Sequence, residues 1–469
     1  MAGTFILGEQ KVRPGAYFTI QKKGTDLAGG TINGVTAVVF KADFGPLNTA
    51  VEISAEEGYE SIYGNGLTTD ALKEAIMGGA KTIIACRVGN GGTQAVLEVE
   101  DTDRESAVTI TAKYPGEKAF TATIRQKLTD ETKKECIIYS GTAEFERVEF
   151  AAGAAETTAL AAAMAASNNF SVQVISGKES AILAETSQKA FTKGTNPTVE
   201  NEDYSNAFQQ VEAYEFNTIC VDTEDTNVHL LLAAFVNRIF ETGSLAMAVV
   251  AEKHTENLNT RMAHAAAFND HKMHYVLNAY INEQGKEIDG YQTAARIAGM
   301  IGAAPSNSSL THSVIPGFSE ILERLTNAQM IEAEKKGCLV FSYNNKKQVW
   351  IDNAINTLVT PTDDYDEGWK KIRRTKTRFE LIRRINAITD ELAGRIDNDN
   401  NGRKTVISQM QGVGIDMISE SKLISCTITE SNTYKADGDN AWFDIDVIDK
   451  DSMEHIYLTY KFQFSTNQE

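Results

Sequence analysis

Apolar and polar positions alternate most cleanly at the far end of the chain. Ile456, Leu458, Tyr460, Phe462 and Phe464 fall on one side, and Tyr457, Thr459, Lys461 and Gln463 on the other. A period of two predicts a strand. Apolar runs at 35–40, 81–88, 218–221, 246–251 and 275–279 predict short buried strands. Helical spacing at 68–77, 227–240, 257–269, 291–301 and 327–336 fills the intervals, and Gly78 and Gly79 stop the first of these helices. Such an alternation predicts βαβ units and a largely parallel sheet. Strands at 339–342 and 348–351 follow.

Two stretches depart from that rhythm. Residues 96–100, 108–112, 120–124, 137–139 and 171–176 alternate with period two, which predicts half-buried strands. One Ala-rich helix, 156–166, interrupts them. The other departure is a long helix at 369–392, with a stripe of Trp369, Ile372, Phe379, Ile382, Ile385, Ile388 and Leu392.

The expected fold class is α/β and multi-domain: an αβ core, an inserted mostly β domain, an α+β C-terminal domain and extended terminal arms. The spans are an N-terminal arm, 1–19; the first part of the core, 20–94; the insertion, 95–194; the second part of the core, 195–355; the C-terminal domain, 356–454; and a C-terminal strand or arm, 455–469. Residues 193–197 serve as the return linker. In the first span Phe5, Leu7, Tyr17 and Ile20 are too sparse to bury themselves, and Pro14-Gly15 breaks any helix. It reads either as a frayed terminus or as an arm whose partner lies elsewhere.

Length agrees with this division: 469 residues make roughly three domains at about 150 each. The net charge of −19 argues against nucleic acid and against an anionic membrane surface, since both need a basic face. The five cysteines, Cys86, Cys136, Cys220, Cys338 and Cys426, are scattered, which suits a reducing compartment. Glu9, Lys11 and Arg13 interrupt any signal-peptide core, and the longest apolar stretch, 230–236, is too short to insert in a bilayer. Assembly in the cytoplasm is expected.

Candidate chemistry is sparse. No phosphate loop, no dinucleotide fingerprint and no nucleophile elbow occurs. His254, His264, His271 and His274 cluster in sequence without a zinc motif, and read as solvated or helix-end histidines. Asp397 to Gly402 matches the first half of a calcium loop but has Ser408 where a bidentate Glu belongs, so a tight turn is the simpler reading. No catalytic, cofactor-binding or metal-binding residue is assigned. The enzyme alternative, an αβ hydrolase or transferase with a β insertion, needs a nucleophile–base pair, and none stands at a recognised spacing. The long helix carries a basic run, Lys370, Lys371, Arg373, Arg374, Lys376, Arg378, Arg383 and Arg384. It reads as a solvated face or as a docking surface for an acidic partner. Extended termini at both ends suit β-strand exchange between copies of one chain.

Several short motifs, in order, resemble the contractile tail sheath proteins of bacteriophages and of R-type, phage-tail-like bacteriocins. They are Arg13-Pro14-Gly15-Ala16-Tyr17, Phe44-Gly45-Pro46, Tyr63-Gly64, Ser309-Leu310-Thr311 and Leu325 to Gln329. Gly337 to Phe341, Ile355-Asn356-Thr357-Leu358 and the Asp397 to Arg403 turn follow. Residues 95–194 carry none of them. The resemblance implies a structural, non-enzymatic subunit without cofactors. It would stack in six-fold rings around an inner tube, exchange terminal arms with its neighbours, and contract to drive the tube through a target envelope. The implied partners are the chain itself, the inner tail tube protein, and baseplate and tail terminator proteins, with no nucleic acid and no membrane insertion. The product would be a virion tail or a released phage-tail-like particle. The linking residues would lie in 2–19 and 455–466: Phe5, Leu7, Arg13, Pro14, Gly15, Tyr17, Ile456, Leu458, Tyr460, Phe462 and Phe464. The innermost domain would face the tube through the helix carrying Lys370, Lys371, Arg373, Arg374, Arg378, Arg383 and Arg384.

Overall fold

Seven short strands, nearly all without solvent contact, form the central sheet of the computed structural model, which describes residues 3–4, 17–18, 33–363 and 365–463. Their order is Cys338–Leu339, Met273–Val276, Met247–Ala251, Thr218–Val221, Val35–Phe40, Thr82–Arg87 and Ala50–Ser54. Every neighbouring pair is parallel except the last, where Ala50–Ser54 runs antiparallel at the edge. The continuous apolar runs follow from helices on both faces. On one face the Asp70–Met77 and Tyr291–Ala303 helices pack over Val38, Phe40 and Val249. On the other, Asn201–Val211, Thr226–Glu241 and Leu258–Phe268 cover Val39, Ile219 and Val250. The first two helices meet almost backbone to backbone. A Cβ on Gly299 would stand 2.1 Å from the Ala75 carbonyl oxygen, so only glycine allows the approach.

Between Gln94 and Ala190 the chain leaves this sheet and builds two antiparallel ones. The first runs Ala143–Ala151, Lys133–Ser140, Thr121–Gln126, Thr186–Ala190, and the second Phe170–Val174, Ser106–Pro115, Gln94–Glu100. They enclose a core of their own around Phe120, Phe150, Phe170 and Leu160. Phe44, from the loop after the first core strand, is buried in it, with ring centroids 5.1 Å from Phe120 and 5.4 Å from Tyr114.

The last part is two helices, Ile372–Leu392 and Asn400–Ser419, against the hairpin Leu423–Glu430 and Phe443–Asp449. A small core of Leu381, Ile385, Met410, Met417 and Ile428 joins them. The Asn/Asp-rich turn is the start of the second helix, which the sequence pattern did not announce. Asp399 Oδ1 accepts from the backbone N–H groups of Asn401 at 2.9 Å and Gly402 at 2.7 Å, capping it. The mixed α/β multi-domain class expected from sequence is what the structure shows.

Candidate assembly surfaces

The clearest strand pattern in the sequence is not a strand within the chain. From Asp451 to Gln463 no hydrogen-bonded secondary structure forms. Ile456, Leu458, Tyr460 and Phe462 are 67–93% exposed. The rings of Tyr460 and Phe462 lie nearly parallel, centroids 6.1 Å apart, on one side of the chain. The alternating segment thus stands extended and unpaired among the described residues, as an arm whose partner strand would lie outside this chain. Phe464 lies outside the described residues, as do Phe5, Leu7, Arg13, Pro14 and Gly15. Tyr17 belongs to a two-residue strand, Tyr17–Phe18, paired in parallel with Gly3–Thr4.

The C-terminal hairpin, in contrast, has strands without outer partners among the described residues. Among the described residues it is a two-stranded sheet, so each strand keeps one unpaired edge. Between the Phe443–Asp449 strand and the Ile372–Leu392 helix runs a groove of ≈ 490 Å³. Leu381, Ile382, Ile385, Ile445 and Val447 line it, with Asp363, Asp366 and Arg378 toward one end. An unpaired edge beside an apolar groove is the geometry that accepts an added strand.

The basic run is not a solvated face, because almost every cation is committed inside the chain. Arg374 grips Asp449 in bidentate fashion, Nε at 2.8 Å and Nη2 at 2.7 Å. Arg378 adds a bond to the same carboxylate at 3.2 Å and stacks over Trp369. Arg373 donates to Ser452 at 2.6 Å, Lys371 to Glu454 and to Asn353, and Lys370 to the Glu334 carbonyl. Arg384 bridges Glu420 and Glu380, and Arg383 donates to the Leu245 carbonyl. Lys376 is wholly enclosed and caps the C-terminus of the Tyr291–Ala303 helix through the Ile301 and Ala304 carbonyls. Burial pushes its ammonium down to about 7 and the Arg383 guanidinium down to about 10. Asp449 is pushed up by burial, but the arginine bonds outweigh that and hold it below the usual carboxylate range.

The four histidines do not converge. His254 pairs with Asp289 at 2.7 Å and His264 with Glu252 at 2.8 Å. His271 and His274 are buried, against the solvated reading. His271 sits among aromatic rings, 4.5 Å from Tyr365 and 4.7 Å from Trp369. His274 meets the Ala248 carbonyl through Nδ1 at 3.1 Å. Among the described residues no group of His, Cys, Asp or Glu has a metal-binding arrangement, and no helix is long and apolar enough to cross a membrane.

Three fully buried arginines had no signal in the apolar pattern. Arg87, Arg261 and Arg296 have no exposed surface and spend their donors on backbone carbonyls and on Glu323 and Glu74. A charged residue in a strand or helix reads as a polar position, so periodicity alone places it outward.

Comparison with known proteins agrees with this architecture. Residues 198–357 match the phage tail sheath protein central domain. The phage-like element PBSX protein XkdK of Bacillus subtilis is 25% identical over 429 residues, 88% of this chain and 84% of that protein. The sheath tail protein of Desulfitobacterium hafniense superposes with a TM-score of 0.70 at 20% identity, covering 93% of this chain and 100% of that one. The helical sheath of the anti-feeding prophage in its contracted state gives 0.55 at 10% identity, over 97% and 99%. The two solved structures are sheath proteins, and the likeness to them is one of fold. The chain therefore carries a phage tail sheath central domain at residues 198–357, set within the tail sheath fold.

Proposed function

We propose that the protein is the repeating subunit of a contractile tail sheath. It polymerises as stacked six-fold rings around an inner tube, linked through its terminal arms, and contracts to drive that tube through a target envelope. One observation carries the reading. The segment Ile456–Phe462 is apolar, alternating, exposed and unpaired, while the C-terminal hairpin of the same chain has open edges beside an apolar groove. A donor and an acceptor that do not meet within one chain are complementary between two copies. Main-chain bonds then hold the link while alternate side chains set its register. The contracted anti-feeding prophage sheath, of the same fold, supports the wider picture.

The inner tube protein, baseplate and tail terminator are the further partners of this reading, with assembly in the cytoplasm before incorporation in a tail particle. Contraction needs two discrete packings and contacts summed over many copies, not a nucleotide. The paired cations of the Ile372–Leu392 helix support a strut within the inner domain better than a bare basic grip on the tube.

Negative-stain electron microscopy of the purified full chain, alone and co-expressed with the tube protein, tests the reading. Hollow six-fold tubes or rings are expected. A chain truncated after residue 454 is expected to stay folded and monomeric. Wild-type monomers under both conditions, or normal tubes from the truncated chain, would remove the arm-linked sheath from consideration.

A further inference from the structure

The C-terminal arm is exposed from His455 to Gln463, yet it is held tightly one residue earlier. The Glu454 side chain is only 10% exposed. Its Oε1 accepts from Ser309 Oγ at 2.9 Å and Thr311 Oγ1 at 3.0 Å, and its Oε2 from the Lys371 ammonium. Thr311 is itself fixed, accepting from the Ala354 N–H at 3.0 Å. Upstream, Ser452 is bound by Arg373 and Asp449 by Arg374 and Arg378. Three points along the departing chain thus meet successive cations on the first turns of the Ile372–Leu392 helix. The final point also meets the Ser309-Leu310-Thr311 loop.

This arrangement has a mechanical consequence. An apolar root could slide or roll against the body, because dispersion contacts are weakly directional. A carboxylate saturated by an ammonium and two hydroxyls from separate segments has one position and one direction. Beyond it His455, Ile456 and Tyr457 are all exposed, and among the described residues the arm makes no secondary structure.

We propose that Glu454 is the positioning residue of the C-terminal arm: with Ser309, Thr311 and Lys371 it fixes where the arm leaves the body, and the arm pivots at residue 455. The importance of that pivot for assembly rests on the arm-exchange reading above; its existence does not. The basic run thereby acquires a role inside the chain, as the surface on which the arm's root is laid.

The test places spin labels on Lys346→Cys, on the body, and Met453→Cys, an exposed position on the held root just before the pivot, in the full chain. The five native cysteines are buried, leaving the introduced pair as the reactive one. Electron–electron double resonance on the monomer should give one narrow distance distribution. Glu454→Ala should broaden it about two-fold or more, since the root becomes an unanchored tail. Melting temperature reports whether the variant is folded. Should Glu454→Ala fail to fold, the charge exchange Lys371→Glu with Glu454→Lys replaces it. That exchange should keep a narrow distribution, whereas Lys371→Glu alone should not. A distribution equally narrow in folded Glu454→Ala, or already broad in the parent, overturns the proposal. Because the readout is taken on monomers, it is independent of tube formation. Loss of the narrow distribution with tubes intact would retain the clasp and discard its role in assembly.

Discussion

Arg87 shows how one buried charge can join two domains. It ends a core strand, and its guanidinium donates to the carbonyls of Ala42 at 2.9 Å, Gly45 at 2.8 Å and Pro115 at 2.9 Å. The first two flank Phe44, whose ring is buried in the inserted domain, and the third belongs to that domain. Burial pushes the guanidinium down to about 10, which leaves it charged at neutral pH. Arg87→Leu leaves the buried Ala42 and Gly45 carbonyls and the half-buried Pro115 carbonyl without this donor, at a cost on the order of 3 kcal/mol. Urea unfolding of the variant should show that loss, and Arg87→Lys should recover little of it, since an ammonium does not span the same fork. A variant as stable as the parent would mean that the Phe44 contacts alone hold the junction.

At the scale of elements, the Ile372–Leu392 helix is held by electrostatics on one side and apolar packing on the other. Leu381 and Ile385 face the second helix and hairpin, while Arg374 and Arg378 clamp Asp449 at the hairpin's end. Replacing both arginines by Glu would set three carboxylates together in a half-buried place. Allowing for the partial exposure of Arg374, the penalty is about 2 kcal/mol. Hydrogen exchange should locate it: amides of Phe443–Asp449 should lose protection, while those of the central sheet should not. Uniform loss across both would mean that the C-terminal domain and core unfold as one unit.

For the whole molecule, acid stability should fall in two stages. Burial pushes His274 down to about 4 and, with Lys272 adding to it, His271 down to about 3. Both are neutral in the fold, while unfolded histidine titrates near 6.5. Above that pH neither state binds the proton and the histidines make no difference. As pH falls from about 6.5 toward 4 the unfolded chain takes protons first, and stability drops by up to about 1.4 kcal/mol per unit per histidine. Glu454, Glu380 and Asp449 have lowered values, so their contribution is present above the ordinary carboxylate pKa and is lost as pH falls through the folded values. His274→Asn keeps a donor for the Ala248 carbonyl but cannot titrate. Because burial lowers His229 as well, it should remove roughly a third of the slope between pH 6.5 and 4 in a series of denaturation curves. An unchanged slope would exclude His274 as its source.

The chain's own pattern was enough for six of the seven strands of the central sheet; the antiparallel edge strand Ala50–Ser54 went unread. Strands such as Val35–Phe40 and Met247–Ala251 are apolar on both faces because helices cover both, and that burial is written residue by residue. The long helix was legible in the same way, as was the alternation of Ile456 to Phe464. Tertiary structure alone decided the rest. Whether an alternating segment becomes a strand depends on an edge to pair with, and among the described residues the final segment pairs with none. The Asn400–Ser419 helix went unread because its cap looks like an isolated turn until the helix is packed. Whether a cation faces water or a buried acid depends on what lies across from it. Asp449 and Glu454 reach the basic helix from more than seventy residues away. A local pattern states which positions prefer burial; which charges meet, and which strand waits for a second copy, are long-range facts that only the folded chain contains.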